Sequence, residues 1–383
     1  MKLKELFRRE SSAAVSVQTS RDKRSAAFGL DRYVPLTTPE AHIYAAMRSS
    51  IPIIDAAVNK IVRLCGGFTV RAEDDIWLSE QLNRFLANVK VGATSQGADM
   101  FIDAYLDQLL TYGTAVGEIV VDGDDVCALY NAPLSRLGID TADSPLAANL
   151  YRIEGGERVP VKYPELICVS ALDPQPDCVT GVSLLRGMPF VSNILLKIYE
   201  SIGQNFERKG NVRFAVNYRP SGDPLDRVSA REWAEQIAEQ WAQAMQSDCV
   251  RDFVSVGDVD IKVIGADNQI IDCEVPARLM LEQIVAKTGL PPFMLGLNWS
   301  STERMSKQQA DMLTSELEHY RRILTPVILR ICNIWQRLHG ISRPVTVDWQ
   351  TINLQDEVEL ADADLKRAQT EQIRQALKGE SNE

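Results

Sequence analysis

Apolar residues recur every three or four positions over long parts of this chain, which is the spacing of one helix face. Near the C-terminus, Ser306 with Gln309 three residues later is typical of a helix start, and Gly340 is typical of a helix end. Pro326 lacks a backbone N–H and is expected to kink this helix near Arg322. The pattern predicts a helix about 50 Å long. One heptad-like seam runs along it: Ala310, Leu313, Leu317, Tyr320, Leu324, Val327, Ile331, Ile334 and Leu338.

Shorter stretches of the same period predict five further helices, over residues 39–64, 76–88, 98–111, 183–208 and 275–288. We expect Pro52 to kink the first of these and Pro189 to bend the fourth. Apolar runs typical of strands lie between the helices, at 115–121, 126–130, 151–153, 159–162, 166–169, 212–218, 253–256, 259–264 and 345–349. The Asp-Gly-Asp-Asp sequence at 122–125 favours a hairpin turn. The mixture predicts an α+β fold.

A small α+β insert is predicted between the helices at 183–208 and 275–288. Ser229 and Glu232 have the spacing of a capping box, so a helix is expected to begin there. Trp233, Ile237 and Trp241 share one face of that helix. We interpret the two tryptophans as the core of the insert in preference to contacts with a partner.

The composition excludes several classes of protein. Among 383 residues, 45% are hydrophobic, but no run of about 18 uncharged apolar residues is present, so no membrane span is expected. The seven cysteines are scattered without a C-x-x-C pair, which favours reduced thiols over a zinc site or a disulfide framework. The net charge of −11 does not suit a protein that coats DNA, although it is compatible with a conduit past which DNA slides.

Motifs of catalysis are missing from the sequence. It contains no G-x-x-x-x-G-K-[ST] loop, no H-E-x-x-H and no G-x-S-x-G, and it has only three histidines. Carboxylate pairs occur, but they fall in predicted turns or a charged tail, and we interpret them as solvated surface. These pairs are Asp74–Asp75, Asp124–Asp125 and Asp362-x-Asp364. No catalytic residue, metal site or cofactor is therefore predicted.

The order of elements from residue 183 onward points to a known family. A long helix leads into the insert, a second helix returns, and an irregular loop precedes the long proline-containing helix. The stretches YLDQLLTYGTAVGEIVVDG at 105–123, LEQIVAKTGLPPFMLGL at 281–297 and SKQQADMLTSELEHYRRILTPVILRICN at 306–333 agree with this order. In the order of its elements and in these sequence segments, the chain resembles the portal proteins of tailed bacteriophages.

The resemblance implies a portal fold whose parts follow one another along the chain. A flexible N-terminal arm (1–38) is followed by a wing (39–182), a stem helix (183–210) and a clip (211–268). A second stem helix (269–289), a tunnel loop (290–305) and a long kinked helix of the wing and crown (306–340) come next. A C-terminal wing strand with a short crown or tail (341–383) completes the chain.

The resemblance also implies a function without catalysis. The chain would form a dodecameric ring at the capsid vertex of a virion assembled in the host cytoplasm, and double-stranded DNA would pass through it during packaging and ejection. Partners would be the terminase large subunit, a head–tail adaptor and the major capsid or scaffold protein. The tunnel-loop residues facing DNA would be Trp299, Ser300, Ser301, Thr302, Glu303 and Arg304. The residues docking partners at the clip would be Arg219, Trp233, Trp241 and Arg251.

Two other functions stay open from the sequence. The heptad-like seam could belong to a structural or adaptor protein that pairs through a coiled coil and has no channel. The carboxylate pairs could belong to a metal-dependent hydrolase, although such a site needs a third ligand on a rigid element.

Overall fold

The computed structural model describes residues 39–141, 148–154, 157–176, 178–210, 213–218, 259–264, 273–297, 299 and 303–352, and five helical positions between 232 and 239. The predicted N-terminal arm, most of the predicted clip and the tail after 352 lie outside the described residues. The chain divides into two compact units, one of residues 1–192 and 282–383 and the other of residues 193–281. Helices and strands are both abundant, which confirms the α+β class.

The first predicted helix is two helices, α1 (Pro39–Ser50) and α2 (Pro52–Cys65). The prediction of one kinked helix was wrong because Ile51 is extended, with φ −122° and ψ 96°. A residue before proline avoids the helical region, and proline suits the first position of a new helix, where its missing N–H costs nothing. Ile51 itself is buried. The inward face of α2 carries six buried residues: Ile54, Ala57, Val58, Ile61, Val62 and Cys65.

A five-stranded sheet forms the centre of the first unit. The elements after α2 are β1 (Phe68–Ala72), α3 (Ile76–Asn88), β2 (Lys90–Val91), β3 (Ser95–Gln96), α4 (Ala98–Tyr112), β4 (Thr114–Asp122), β5 (Asp125–Asn131), β6 (Leu137–Thr141), β7 (Ala148–Glu154), β8 (Glu157–Pro160) and β9 (Ile167–Ala171). The sheet order is β3-β2-β5-β4-β9, and β6-β7-β8 form a second sheet. The predicted hairpin at 122–125 is confirmed, since β4 and β5 pair antiparallel.

Helix α4 packs its apolar face on this sheet. Phe101, Tyr105 and Leu109 are completely buried. The hydroxyl of Tyr105 donates toward the Ala115 carbonyl at 3.2 Å and lies 2.9 Å from Ser170 Oγ, so the helix is tied to both β4 and β9. The helices predicted at 76–88 and 98–111 are confirmed as α3 and α4.

Helix α5 (Met188–Gly210) begins five residues later than the sequence predicted. The predicted start, Ser183, is held instead by the end of α4, where its hydroxyl donates to the Thr111 carbonyl at 2.7 Å. Gly187 then takes φ +87°, a conformation that a helix cannot continue through. The expected bend at Pro189 was also misplaced, because Pro189 is the second residue of the helix and removes no hydrogen bond there.

The second unit contains the described part of the insert. Strands β10 (Arg213–Tyr218) and β11 (Val259–Ile264) pair antiparallel, with Arg213 opposite Ile264. Helical residues between 232 and 239 confirm the predicted helix at that place. The predicted cap Ser229 and the predicted strand at 253–256 lie outside the described residues. Helix α6 (Glu274–Thr288) leaves the insert and ends before Gly289, as predicted.

The long helix α7 (Glu303–Leu338) continues through Pro326 and leads to β12 (Val345–Trp349). The predicted start at Ser306 was one turn late. Its seam is not an exposed coiled-coil face, since the first seven residues of the seam, from Ala310 to Ile331, are each at most 6% exposed. The seam packs within the chain, where α7 contacts α2, α4, β5, β9 and β12.

Arg321 ties three elements together beside this seam. It is 6% exposed, and its guanidinium donates to the Cys65 carbonyl at 2.9 and 2.6 Å and to the Gln350 carbonyl at 2.7 Å. Its guanidinium carbon also lies 5.2 Å from the Trp349 ring centre. The arginine therefore joins α7 to the end of α2 and to β12, which pairs antiparallel with β1.

Candidate functional site

The segment between α6 and α7 is anchored at its start. Leu290 is 1% exposed, and Pro292–Leu295 forms a 3-10 turn that packs against α2. The Leu297 N–H donates to the Pro292 carbonyl at 3.0 Å, which closes the turn, and Gly296 takes φ +75°. A left-handed position of this kind favours glycine. The chain therefore enters the predicted DNA-facing loop from a fixed base.

Only part of that loop is irregular. Trp299 is partly buried, and its N–H donates to the Leu297 carbonyl at 3.0 Å. Glu303 and Arg304 lie in the first turn of α7, so the prediction that the loop runs to residue 305 was wrong. An acidic residue in a first helical turn is favoured by the helix dipole, and this signal competes with the cap at Ser306. The other predicted loop residues, Ser300, Ser301 and Thr302, lie outside the described residues.

The predicted docking surface of the clip is described at one residue. Trp233 lies in the helical stretch and is 52% exposed, so its interpretation as core of the insert was wrong for the single chain. An exposed tryptophan is typical of contact with a partner. Arg219, Trp241 and Arg251 lie outside the described residues.

Two helices expose large apolar side chains. On α5, Phe190 is 74%, Tyr199 45% and Phe206 72% exposed, and Phe206 continues the apolar spacing of three and four residues that predicts this helix. On α6, Val275 and Leu279 are 59% and 51% exposed and lie one turn apart. The sequence did not single out these residues as exposed, because helical periodicity identifies an apolar face but not what covers it.

The carboxylate pairs that could serve a metal-dependent hydrolase do not form a metal site among the described residues. No three His, Cys, Asp or Glu side chains gather there as a metal site. Asp75 caps α3 by accepting the Leu78 N–H at 2.8 Å, and Asp125 lies at the β4–β5 turn. Burial raises the pKa of the Cys65 and Cys168 thiols to about 12, so neither is an activated nucleophile. Asp362 and Asp364 lie outside the described residues.

The sequence matches no protein-family profile and no curated protein. Solved structures are similar to the chain over most of its length. A chain in the neck of the native gene transfer agent particle, computed with C12 symmetry, is 15% identical with a TM-score of 0.61, and the match covers 88% of this chain and 90% of that one. A chain of the empty-particle neck, computed with C6 symmetry, gives 14% identity, a TM-score of 0.61 and coverage of 87% and 90%.

A further similarity is to the HK97-family phage portal protein from Corynebacterium diphtheriae, at 14% identity, with a TM-score of 0.43 and coverage of 79% and 95%. The chain therefore shares its fold with the two chains of the particle neck. The first unit contains the residues predicted to form the wing, the base of the tunnel loop and the long helix, and the second contains those predicted to form the clip and most of the first stem helix.

The exposed side chains of α5 and α6 lie on the two helices that were predicted to form the stem. A signal for them was present in the sequence. Helix α6 carries apolar residues with no single dominant face. This feature is typical of a helix that is covered on more than one side.

Proposed function

We propose that this chain is the portal protein of a tailed bacteriophage or prophage. It forms a ring at one capsid vertex, and DNA passes through the ring during packaging and ejection. The observation that carries the proposal is the fold similarity, over 88% of this chain, to a chain from a particle neck computed with C12 symmetry. A repeated head-to-tail contact that closes on itself gives a ring of this kind.

The exposed stem residues support ring formation. Scattered apolar side chains are ordinary on a protein surface, but the two predicted stem helices expose five large ones here. Phe206 and Tyr199 lie seven residues apart, so both belong to one side of α5. In the proposed dodecamer the stem helices of adjacent subunits cover these side chains.

The segment before α7 supports passage of DNA. In the proposed ring, residues 299–304 face the channel, and Arg304 meets phosphate while the hydroxyl residues Ser300, Ser301 and Thr302 allow weak contact. Phosphate contacts carry no sequence information, which suits a channel that passes any genome. The net charge of −11 limits adhesion elsewhere.

The clip is the proposed docking site outside the capsid. Trp233, with its half-exposed indole, is the described residue of this surface. Arg219, Trp241 and Arg251 are proposed to belong to the same surface. It binds the terminase large subunit during packaging and the head–tail adaptor afterwards, while the wing contacts capsid or scaffold protein. Assembly takes place in the host cytoplasm, and the finished ring belongs to the virion.

The coiled-coil adaptor is the alternative, and burial argues against it. Its interface would be the seam of α7, yet Leu313, Leu317 and Leu324 are each at most 1% exposed within the single chain. A partner helix could reach them only if the core opened. The large apolar side chains that remain exposed include those of α5 and α6, and also Ile76 and Trp77 on α3.

The test is to image the purified protein by negative-stain electron microscopy and to measure particle mass in parallel. The proposal predicts closed rings with a central hole and roughly twelvefold symmetry, alone or after addition of scaffold protein. Discrete dimers or trimers under both conditions would support the coiled-coil adaptor and contradict the portal function.

The channel and clip are tested separately on rings. Replacing residues 299–302 with a Gly-Ser linker, or Arg304→Gln, should leave rings intact and reduce the nuclease-protected DNA in particles. Arg322→Gln, an exposed cation farther along α7, is the matched control and should package normally. Arg219→Glu with Arg251→Glu should weaken terminase binding to intact rings. Loss of the rings themselves would mean that these residues hold the fold rather than the channel or the docking surface.

A further inference from the structure

The start of α7 contains two competing signals. The helix begins at Glu303, but Ser306 and Gln309 have the spacing of a capping box for a helix that begins one turn later. In a capping box the serine hydroxyl accepts the N–H of the third helical residue. The side-chain oxygen of that third residue accepts the serine backbone N–H in return. The observed start leaves Ser306 inside the helix, where its N–H has no need of this acceptor.

One side-chain oxygen has no partner with the observed helix start but would have one in a helix that begins after Ser306. Gln309 Oε1 is buried and has no hydrogen-bond partner among the described residues. Buried polar atoms are nearly always paired, so such an orphan is unusual and costs stability. Gln309 is the residue whose oxygen would accept the Ser306 N–H if the helix began after Ser306. The long form of the helix therefore leaves unpaired the acceptor that a shorter form would use.

The described side chains of the turn that distinguishes the two forms are largely exposed. Met305 is 48% exposed, Gln308 is exposed, and the first described side chain of α7 to be buried is Ala310. Burial of Met305 therefore opposes unwinding of this turn little, and local opening is expected where few side chains are buried. From Ala310 onward the buried seam fixes the helix.

We propose that α7 has two starts, a long form beginning at Glu303 and a short form capped by Ser306 and Gln309, and that Gln309 is the positioning residue that balances them. This inference rests on the proposed function, because it concerns the segment assigned to face DNA. In the short form Glu303, Arg304 and Met305 join the residues that precede the helix. Three residues that rise about 1.5 Å each in a helix span about 3.3 Å each when extended, so the segment before the helix, which includes Arg304, becomes about 5 Å longer.

Hydrogen exchange of the full-length protein distinguishes the forms. In the long form the Lys307 and Gln308 N–H groups donate to the carbonyls of Glu303 and Arg304. In the short form the same two groups have no backbone acceptor, while the Ala310 N–H is bonded in both forms. We expect the Lys307 and Gln308 amides to exchange at least about tenfold faster than the Ala310 amide, relative to their intrinsic rates.

Two variants should shift the balance toward the long form. Gln309→Met removes the acceptor that only the short form uses, and Ser306→Ala removes its cap, so each should slow exchange at Lys307 and Gln308 by about fivefold. Gln308→Met, at the exposed neighbouring position, is the control and should leave the exchange rates of the other amides unchanged. Protection at Lys307 equal to that at Ala310 in the wild type, or no response to either variant, overturns the proposal. Rings are scored in the same preparations, so a failure to form rings counts against the proposed function alone.

Discussion

Replacement of Phe206 by serine separates ring assembly from subunit stability. The side chain is 72% exposed in the single chain, so the subunit gains little from it, and Phe206→Ser should change the free energy of unfolding by less than about 0.5 kcal/mol. A fully exposed phenylalanine side chain offers about 200 Å², of which about 140 Å² stays free here. At about 25 cal/mol per Å², covering that area in a ring contributes at most about 3.5 kcal/mol per subunit contact.

A loss of that size raises the dissociation constant of each subunit contact by a few hundredfold at most, since every 1.4 kcal/mol corresponds to about tenfold. The assay is mass photometry over a dilution series, with thermal unfolding of the same samples. Lys197→Ser, an exposed polar position on the same helix, is the matched control and should assemble like the wild type. If Phe206→Ser forms rings at the same concentrations as the control, then the stem surface is not a subunit contact and the reasoning from exposure fails.

Three further predictions concern the first unit and are all measured by thermal or urea unfolding. Arg321→Met leaves the Cys65 and Gln350 carbonyls without their buried donor and should cost about 3 kcal/mol. Equal stability would show that water replaces the guanidinium. Leu317→Ala creates a cavity under α7 and should cost about 2–5 kcal/mol, whereas a coiled-coil seam residue would affect only association. Burial raises the pKa of Asp103, and the negative charge of the nearby Asp99 raises it further. Asp107, in contrast, accepts two hydrogen bonds from Arg48. A raised folded pKa means that the ionised form costs stability above that pKa and that the cost disappears as pH falls through it. Asp103→Asn should therefore raise the unfolding midpoint at pH 8 and not at pH 4. Asp107→Asn should lower the midpoint at pH 8. If the gain in stability of Asp103→Asn did not depend on pH, the charge of the Asp103 carboxylate would be excluded as the cause of that gain.

Local signals were sufficient for most elements of the fold. The hairpin of β4 and β5 follows from two alternating segments around Asp-Gly, and α3 and α4 follow from their periodicity. Strand β12 (Val345–Trp349) lies at the predicted residues, and the five-residue strand β1 opposite it was not identified. A short strand next to Gly66 and Gly67 offers too few positions for alternation to be recognised.

The errors at helix ends have a different origin, because distant residues decide them. The start predicted for α5 failed since Ser183 hydrogen-bonds to the carbonyl of Thr111, which lies 72 residues earlier. Gly113 shows the same dependence, because a Cβ there would lie 2.6 Å from the carbonyl oxygen of Gly181. Periodicity and caps carry no information about such contacts, so the end of a helix is less predictable than its middle.

The candidate site could be predicted only in outline, for a related reason. An apolar helix face in a sequence indicates that other residues or molecules cover it. By apolar spacing alone, the seam of α7 and the apolar face of α5 could not be distinguished. The folded subunit distinguishes the two faces, because Leu317 is covered by its own chain and Phe206 is not. What the subunit leaves uncovered must be covered by other molecules or tolerated in water. The choice between a coiled-coil adaptor and the proposed ring therefore depends on which of the two faces stays exposed, and the exposed face lies on α5, a predicted stem helix.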